Sequence, residues 1–519
     1  STPVLFNVYS SRVFEPDKLT TLRALSLVMA ILWLVRFLEE WMHGKKPVKF
    51  SWQTPMVLPA LLTMGIYLIS SFFSLVPYTS FIGSYQRLQG TYTLFGYLVI
   101  FFAILTSLRT REQLSRLMTV LILNSLPVSL YGIIQHNGLD PLPWAGDVQR
   151  RVASNMGNAI FVAAYLIMVV PLTGARIIQS FNDILSREES RLTDIFRTSA
   201  YIFLLAVQLL TIWYARSRGP WLGLLAGGFL FPYLGFLILQ RQIEPEEEVI
   251  TQSSPFKDML KGVGVGVGTL AISGALLGLS ILAIEGNTGL YIGGLLAGLS
   301  FGGMWLYFIV ERIGWRWLWI SWGTIGLAAI LLILSINVPG PLHDAAIEIK
   351  SVNRLARITE LEEGTGQVRA LIWQGALDLV SPHEPIEFPD GSGDKFNAIR
   401  PLIGYGPEAM YVAYNSFYPP LLGHFESRTA SPDRSHNETL DSIVITGVLG
   451  LGVYLFTFLG FFYWGLRWLG LMKTKRQLWL LLGLDAAFSL LFFFIGLQMD
   501  GAYLFVVAIP LGILVGTMV

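Results

Sequence analysis

The residues Asp433-Arg434-Ser435-His436-Asn437-Glu438 run directly into the apolar segment Ile443 to Gly470. Ser435 and Glu438 have the S-x-x-E spacing of a capping box, which predicts a helix starting here with His436 in its first turn. That turn would lie at a membrane surface, where the helix dipole is positive. An imidazole placed there can act as a general base, and a helix N-terminus can hold an anion. The competing account makes His436 only a polar anchor at the interface.

Arginine is the second residue type that could do chemistry. Arg87, Arg150, Arg151, Arg216 and Arg218 each fall close to a predicted membrane boundary, in loops that should be poor in Arg and Lys. A guanidinium is a planar fork of donors suited to phosphate, and a lipid diphosphate is the natural anion at that depth. Snorkelling to headgroups, or pairing with carboxylates, is the alternative. A long outer segment adds Arg369, Arg400, Arg428 and Arg434. Arg369 lies four residues before Trp373, on one face if that stretch is helical.

These residues must be positioned by membrane helices. The chain of 519 residues is 53% hydrophobic and only 14% charged, with a mean hydropathy of +0.57. Apolar runs of roughly 18 or more residues recur, which predicts an all-α polytopic protein of about 12–14 transmembrane helices. The candidate spans are 19–39, 55–77, 91–107, 114–134, 158–178, 199–215, 219–239, 259–284, 288–310, 315–336, 441–470, 478–497 and 501–519. They divide the chain into membrane helices over 1–336, a large, partly helical extracytoplasmic loop over 337–440, and C-terminal membrane helices over 441–519. In the loop, amphipathic helices are expected near 343–362 and 366–381. Net charge +1 without a basic domain or tail gives no nucleic-acid partner, and the absence of cysteine excludes disulfides, thiolate metal sites and a cysteine nucleophile.

Sidedness follows from Lys45, Lys46 and Lys49, Arg109, Arg111 and Arg116, Arg187, Arg191 and Arg197, Arg312 and Arg316, and Lys473, Lys475 and Arg476. They occupy one alternating set of loops, which should be cytoplasmic. His436 and the five boundary arginines then face outward, and so does the N-terminus. The chain begins at Ser1, and residues 1–18 do not look like a signal peptide. An outside N-terminus without one fits a missing first helix.

Four segments carry a family resemblance. His436-Asn437, nine residues, then Gly447-Val448-Leu449-Gly450 is similar to the H-N-x9-G-x-x-G signature of the O-antigen ligase family. Ser217-Arg218-Gly219-Pro220-Trp221-Leu222-Gly223 resembles that family's S-R-G-x-x-x-G segment. Val368-Arg369-Ala370-Leu371-Ile372-Trp373, followed by Gly404-Tyr405-Gly406-Pro407-Glu408, looks like its R-x-x-x-W then G-x-G pattern, and Gly157-Asn158 opens the fifth span. The matches run from about 150 to 452 in the family's order; the first 130 residues rest on hydropathy alone. Eleven residues separate His436 from Gly447, close to three turns at about 3.6 residues each, so one helix face should carry both. Gly447, Gly450 and Gly452 on that face would admit a neighbouring helix.

The resemblance implies a membrane glycosyltransferase in the bacterial inner membrane with its site facing the periplasm or cell exterior. It would move a glycan from a polyprenyl diphosphate-linked donor to the hydroxyl of a glycolipid or other acceptor, inverting the anomeric carbon. His436 would take the acceptor proton, with Glu438 or Asp441 to orient it. It must be neutral, and nearby arginines and the positive helix end push its pKa down. Arg218 and Arg369 would stabilise the leaving diphosphate. Arg216, Arg434, Arg87, Arg150, Arg151, Asn437 and Tyr405 are the further substrate-binding candidates. No metal or cofactor is required: the outer side has no D-x-D pair, and Asp390-Gly391-Ser392-Gly393-Asp394 reads as a polar turn. Gly262, Gly264, Gly266 and Gly268 read as helix packing.

Within the family the acceptor separates ligase, polymerase and protein O-oligosaccharyltransferase. The motif spacing and the lack of an extra soluble domain favour a ligase. A lipid-linked glycan transporter is the competing class, expected to carry charge at the membrane midplane. A structural subunit of a larger membrane complex is the third.

Overall fold

Every candidate span overlaps a helix in the computed structural model, which describes residues 2–7, 15–44, 51, 53–144, 146–185, 192–247, 255–283, 287–310, 318–349, 356, 364–427, 430–498 and 505–518. Lys45, Lys46, Lys49, Arg187, Arg191, Arg312, Arg316 and Arg428 lie outside these residues. The first helices are α1 (Pro16–Met42), α2 (Val57–Phe72), the short α3 (Pro77–Ile82), α4 (Thr91–Ser107) and α5 (Arg111–His136). Next come α6 (Ala159–Leu185), α7 (Leu192–Ala215), α8 (Arg218–Glu247), α9 (Pro255–Ala283), α10 (Asn287–Val310) and α11 (Leu318–Ser335). The long loop contributes α12 (Pro341–Glu348), α13 (Gly364–Val380), α14 (Arg400–Ile403) and α15 (Met410–Ala413), and the chain finishes with α16 (Glu438–Trp468), α17 (Lys475–Gln498) and α18 (Phe505–Met518). Among the described residues no strand forms, eight helices are long and apolar enough to cross a membrane, and five shorter helices are also apolar. The chain is therefore an all-α, polytopic membrane protein.

Two compact units emerge, Ser1–Ala215 with Glu360–Val519, and Arg216–Thr359. In the second unit, Phe236, Trp305 and Leu318 form the core, and the Trp322 indole donates to the Phe229 carbonyl at 2.8 Å. Of the glycine series in α9, Gly266 sits where a Cβ would come within 2.9 Å of the Ser321 carbonyl of α11, whereas Gly264 and Gly268 face open space. The first expected loop helix, 343–362, is helical over Pro341–Glu348, and residues 350–355 and 357–363 lie outside the described residues.

In the first unit a polar seam joins α5, α6 and α7 inside the apolar layer. Gln208 of α7 donates to Ser125 Oγ of α5 at 2.7 Å and to Thr173 Oγ1 of α6 at 3.1 Å. Such bonds replace hydrophobic driving force between lipid-embedded helices. The loop segment folds over the start of α16, with Trp373, Leu379, Tyr405, Met410, Tyr414, Leu422 and Leu440 sharing one core.

Helix α16 is not one straight rod. Gly447 has φ 68° and ψ −171°, a conformation open essentially to glycine, and breaks it there. The break lets another chain segment touch the helix backbone. The N–H groups of Tyr405 and Gly406 donate to the carbonyls of Val444 (2.8 Å) and Ile445 (3.0 Å). A Cβ on Gly447 would fall 2.2 Å from the Leu402 carbonyl carbon, and one on Gly404 would fall 2.4 Å from that of Ile445. The expectation of one continuous face carrying His436 and Gly447 is thus corrected. Gly447 admits the backbone of the short loop helix α14 at Leu402 and Ile403, and Gly452 faces open space.

Candidate functional site

A cavity of about 1010 Å³ opens at the start of α16, walled entirely by the first unit. Its position follows from four helix beginnings. Glu15 precedes α1, Gln89 lies two residues before α4, Asn158 caps α6 and Asn437 caps α16, and all four line the cavity. The caps are explicit in the last two: Asn158 Oδ1 accepts from the Ile160 N–H at 3.0 Å, and Asn437 Oδ1 from the Leu440 N–H at 3.2 Å. Converging helix N-termini place a positive potential in this space.

Asn437 as N-cap overturns the expected capping box. The Ser435 hydroxyl is engaged elsewhere, so the helix starts at Glu438 and His436 sits just ahead of the cap rather than in the first turn. His436 has φ +57°, a left-handed conformation that costs a non-glycine residue energy. Its ring is exposed to the cavity, and no side chain among the described residues hydrogen-bonds it. Burial of its surroundings lowers its pKa first, and the charge of Arg369 adds to this, while Asp433 and Asp441 oppose it. The ring is therefore neutral at pH values where an ordinary histidine begins to protonate, as a base requires.

Arg87, Arg369, Arg434 and Asn437 join His436 around the cavity. Arg369 is exposed to it from α13. Arg434 donates to the Gln89 side-chain carbonyl. Arg87 pairs with Asp433 and, at 3.5 Å, with Glu15, so carboxylate pairing describes this arginine better than a free anion site. Burial raises the Glu15 pKa above its ordinary 4.5, with Arg87 working against that.

Other sequence candidates lie elsewhere. Tyr405 is 1% exposed in the loop core, where its hydroxyl donates to the Leu379 carbonyl at 3.0 Å and lies 2.8 Å from His383 Nε2. It packs the scaffold and does not line the cavity. Arg150 and Arg151 do not line the cavity, although Arg151 feels the charge of Arg369. Arg218 opens α8 in the second unit, after the exposed Arg216 at φ +46°. Asp394 of the expected polar turn makes a buried two-pronged ion pair with Arg400, at 2.7 and 2.8 Å.

Beyond Glu438 and Asp441, which the sequence reading offered to orient His436, the cavity holds three carboxylates it did not assign, Glu15, Glu426 and Asp433; the five together outnumber the three lining arginines among the described residues. Asp433 is adjacent in sequence to Arg434, but its partner Arg87 is 346 residues away. No local pattern reveals such a pair. The wall that carries Arg87 is itself closed by a distant residue, because the Glu408 carboxylate accepts the N–H groups of both Ser84 and Gln89.

Comparison with protein-family models, curated proteins and solved structures finds no match to this chain.

Proposed function

We propose that this chain is an inverting, metal-independent membrane glycosyltransferase of the O-antigen ligase type. It would transfer a glycan from a polyprenyl diphosphate to an acceptor hydroxyl within the cavity at the head of α16. The observation that carries the reading is His436: a ring with a lowered pKa, exposed in a cavity of about 1010 Å³ at the ends of apolar helices, beside Arg369. The sequence resemblance around His436, Arg369 and Gly157-Asn158 supports it, since all three segments meet at this cavity.

The chemistry is a single displacement. His436 takes the acceptor's hydroxyl proton as its oxygen bonds to the anomeric carbon. The bond from that carbon to the diphosphate oxygen breaks, and the diphosphate leaves with the electron pair. Arg369, Arg434 and the four helix N-termini supply fixed positive potential for the charge that grows on the leaving group. Arg87 contributes less, being already matched by Asp433 and Glu15. The cavity lies at helix ends rather than midway along them, which suits chemistry at a membrane surface.

A purified assay with a polyprenyl diphosphate-linked glycan and a panel of lipid, glycan and peptide acceptors tests this. Wild-type protein should form a new glycosidic bond to one acceptor class, and His436→Ala should reduce turnover by about 10²–10⁴-fold, as expected for loss of a general base. Equal turnover in the variant would sink the catalytic role. The acceptor used separates ligase, polymerase and protein O-oligosaccharyltransferase. Movement of the intact donor across a bilayer without bond formation would instead mark a transporter.

A further inference from the structure

Ser435, the residue before His436, has every polar backbone and side-chain group engaged. Its N–H donates to Asp441 Oδ1 at 2.8 Å, and its hydroxyl donates to the same oxygen at 2.7 Å. Its Oγ also accepts from the Asn437 N–H at 3.3 Å. From the opposite side the Trp373 indole donates to the Ser435 carbonyl at 2.8 Å. Ser435 is 0% exposed, Asp441 5% and Trp373 8%. Asn437, the residue after His436, is fixed as the helix cap. A left-handed residue flanked on both sides by locked neighbours keeps a conformation it would otherwise leave.

We infer that Asp441 and Trp373 are positioning residues that clamp Ser435 from two sides and thereby hold His436 in its left-handed, cavity-facing pose. Trp373 lies one turn beyond Arg369 on α13, so a single helix both tethers the histidine's neighbour and presents a guanidinium to the cavity. The pairing is economical in degrees of freedom.

The catalytic part of this inference rests on His436 being the base, whereas the clamp itself does not. Charged groups lining the cavity with the ring are Arg369 from α13, Arg87 from the loop before α4, Glu15 ahead of α1, Glu426 from the loop segment, Asp433 and Arg434 from its own segment, and Glu438 and Asp441 from α16. The decisive experiment follows histidine-selective NMR of the full chain in nanodiscs, with His436→Ala identifying the resonance. Alongside it runs turnover of a polyprenyl diphosphate-linked disaccharide. Asp441→Asn keeps an oxygen for Ser435 but removes a charge that raises the His436 pKa, so a single sharp His436 signal should persist with a lower titration midpoint. Asp441→Ala and Trp373→Phe each remove one arm. They should broaden or split the signal and cut kcat by roughly 10–100-fold, with the donor KM within about twofold, as small misplacements of a reacting group do.

If Asp441→Ala does not fold, Trp373→Phe and Asp441→Asn carry the test. An unchanged His436 signal in Trp373→Phe and Asp441→Ala would overturn the clamp, whatever the activity. Inactive His436→Ala with full activity in both clamp variants would overturn its part in catalysis while leaving the base in place. Full activity in His436→Ala would remove the base reading, and the NMR arms would still decide the clamp.

Discussion

Arg87 and Arg369 bring the same charge to the same cavity, yet their surroundings give them different work. Arg87 is matched by Asp433 and Glu15, whereas Arg369 is exposed and acts on His436 through space. Replacing Arg369 with Gln should therefore do more than weaken anion binding. Arg369 lowers the His436 pKa, so its removal raises that pKa, and the ring stays protonated to higher pH. The acid limb of the transfer rate should move to higher pH, the reverse of the shift in Asp441→Asn, and a pH–rate profile reads both. An unmoved limb would mean that the titrating group is not His436. Stability obeys the same sign: a histidine with a depressed pKa favours the fold above its ordinary 6.5 and loses that contribution as pH falls through the lower, folded value.

At the scale of elements, the helices were legible because lipid demands long apolar runs, and such runs survive any tertiary context. The 441–470 segment appears as Glu438–Trp468, and 91–107 as Thr91–Ser107. What failed was local detail that depends on distant partners. Ser435 matched a capping box, but Asp441 takes its hydroxyl and Asn437 takes the cap. The glycines after His436 suggested close helices, yet Gly447 breaks the helix because the Leu402–Gly406 backbone lies against it. Five of the ten candidate site residues meet at the cavity, and the pairing of Arg87 with Asp433 was invisible because it is made by folding alone. The break makes a firm prediction. Gly447→Ala should destabilise the protein by at least about 1–3 kcal/mol through backbone strain, before any clash with Leu402 is counted. Gly452→Ala, in open space, should be near neutral. Thermal unfolding in detergent compares the two, and equal midpoints would mean that the helix runs straight.

For the whole molecule, the proposed function puts the cavity at the outer surface, the side expected from the distribution of Lys and Arg. The chain has no cysteine, so a single introduced thiol is a clean reporter. Ser431 lines the cavity and is exposed, and Lys473 is exposed in the turn between α16 and α17. In intact cells Ser431→Cys should react with a membrane-impermeant maleimide, and Lys473→Cys should react only after permeabilisation. The opposite pattern would reverse the sidedness and remove an externally supplied acceptor from consideration.

The junction between the loop and α16 has a consequence for recombining this protein with others. Two carbonyls of a membrane helix, at Val444 and Ile445, find their donors in the loop backbone at Tyr405 and Gly406. The loop is therefore grafted into the helix by main chain as well as packed onto it by the side chains of the shared core. Swapping residues 364–427 for a foreign loop without the 438–450 helix start would strand the Val444 carbonyl in a poorly hydrated layer, at a cost of about 1–3 kcal/mol, while the Ile445 carbonyl would keep only the Ser70 hydroxyl. The two stretches form one inheritable cassette. A search for altered acceptor preference by loop exchange should cut the chain outside both.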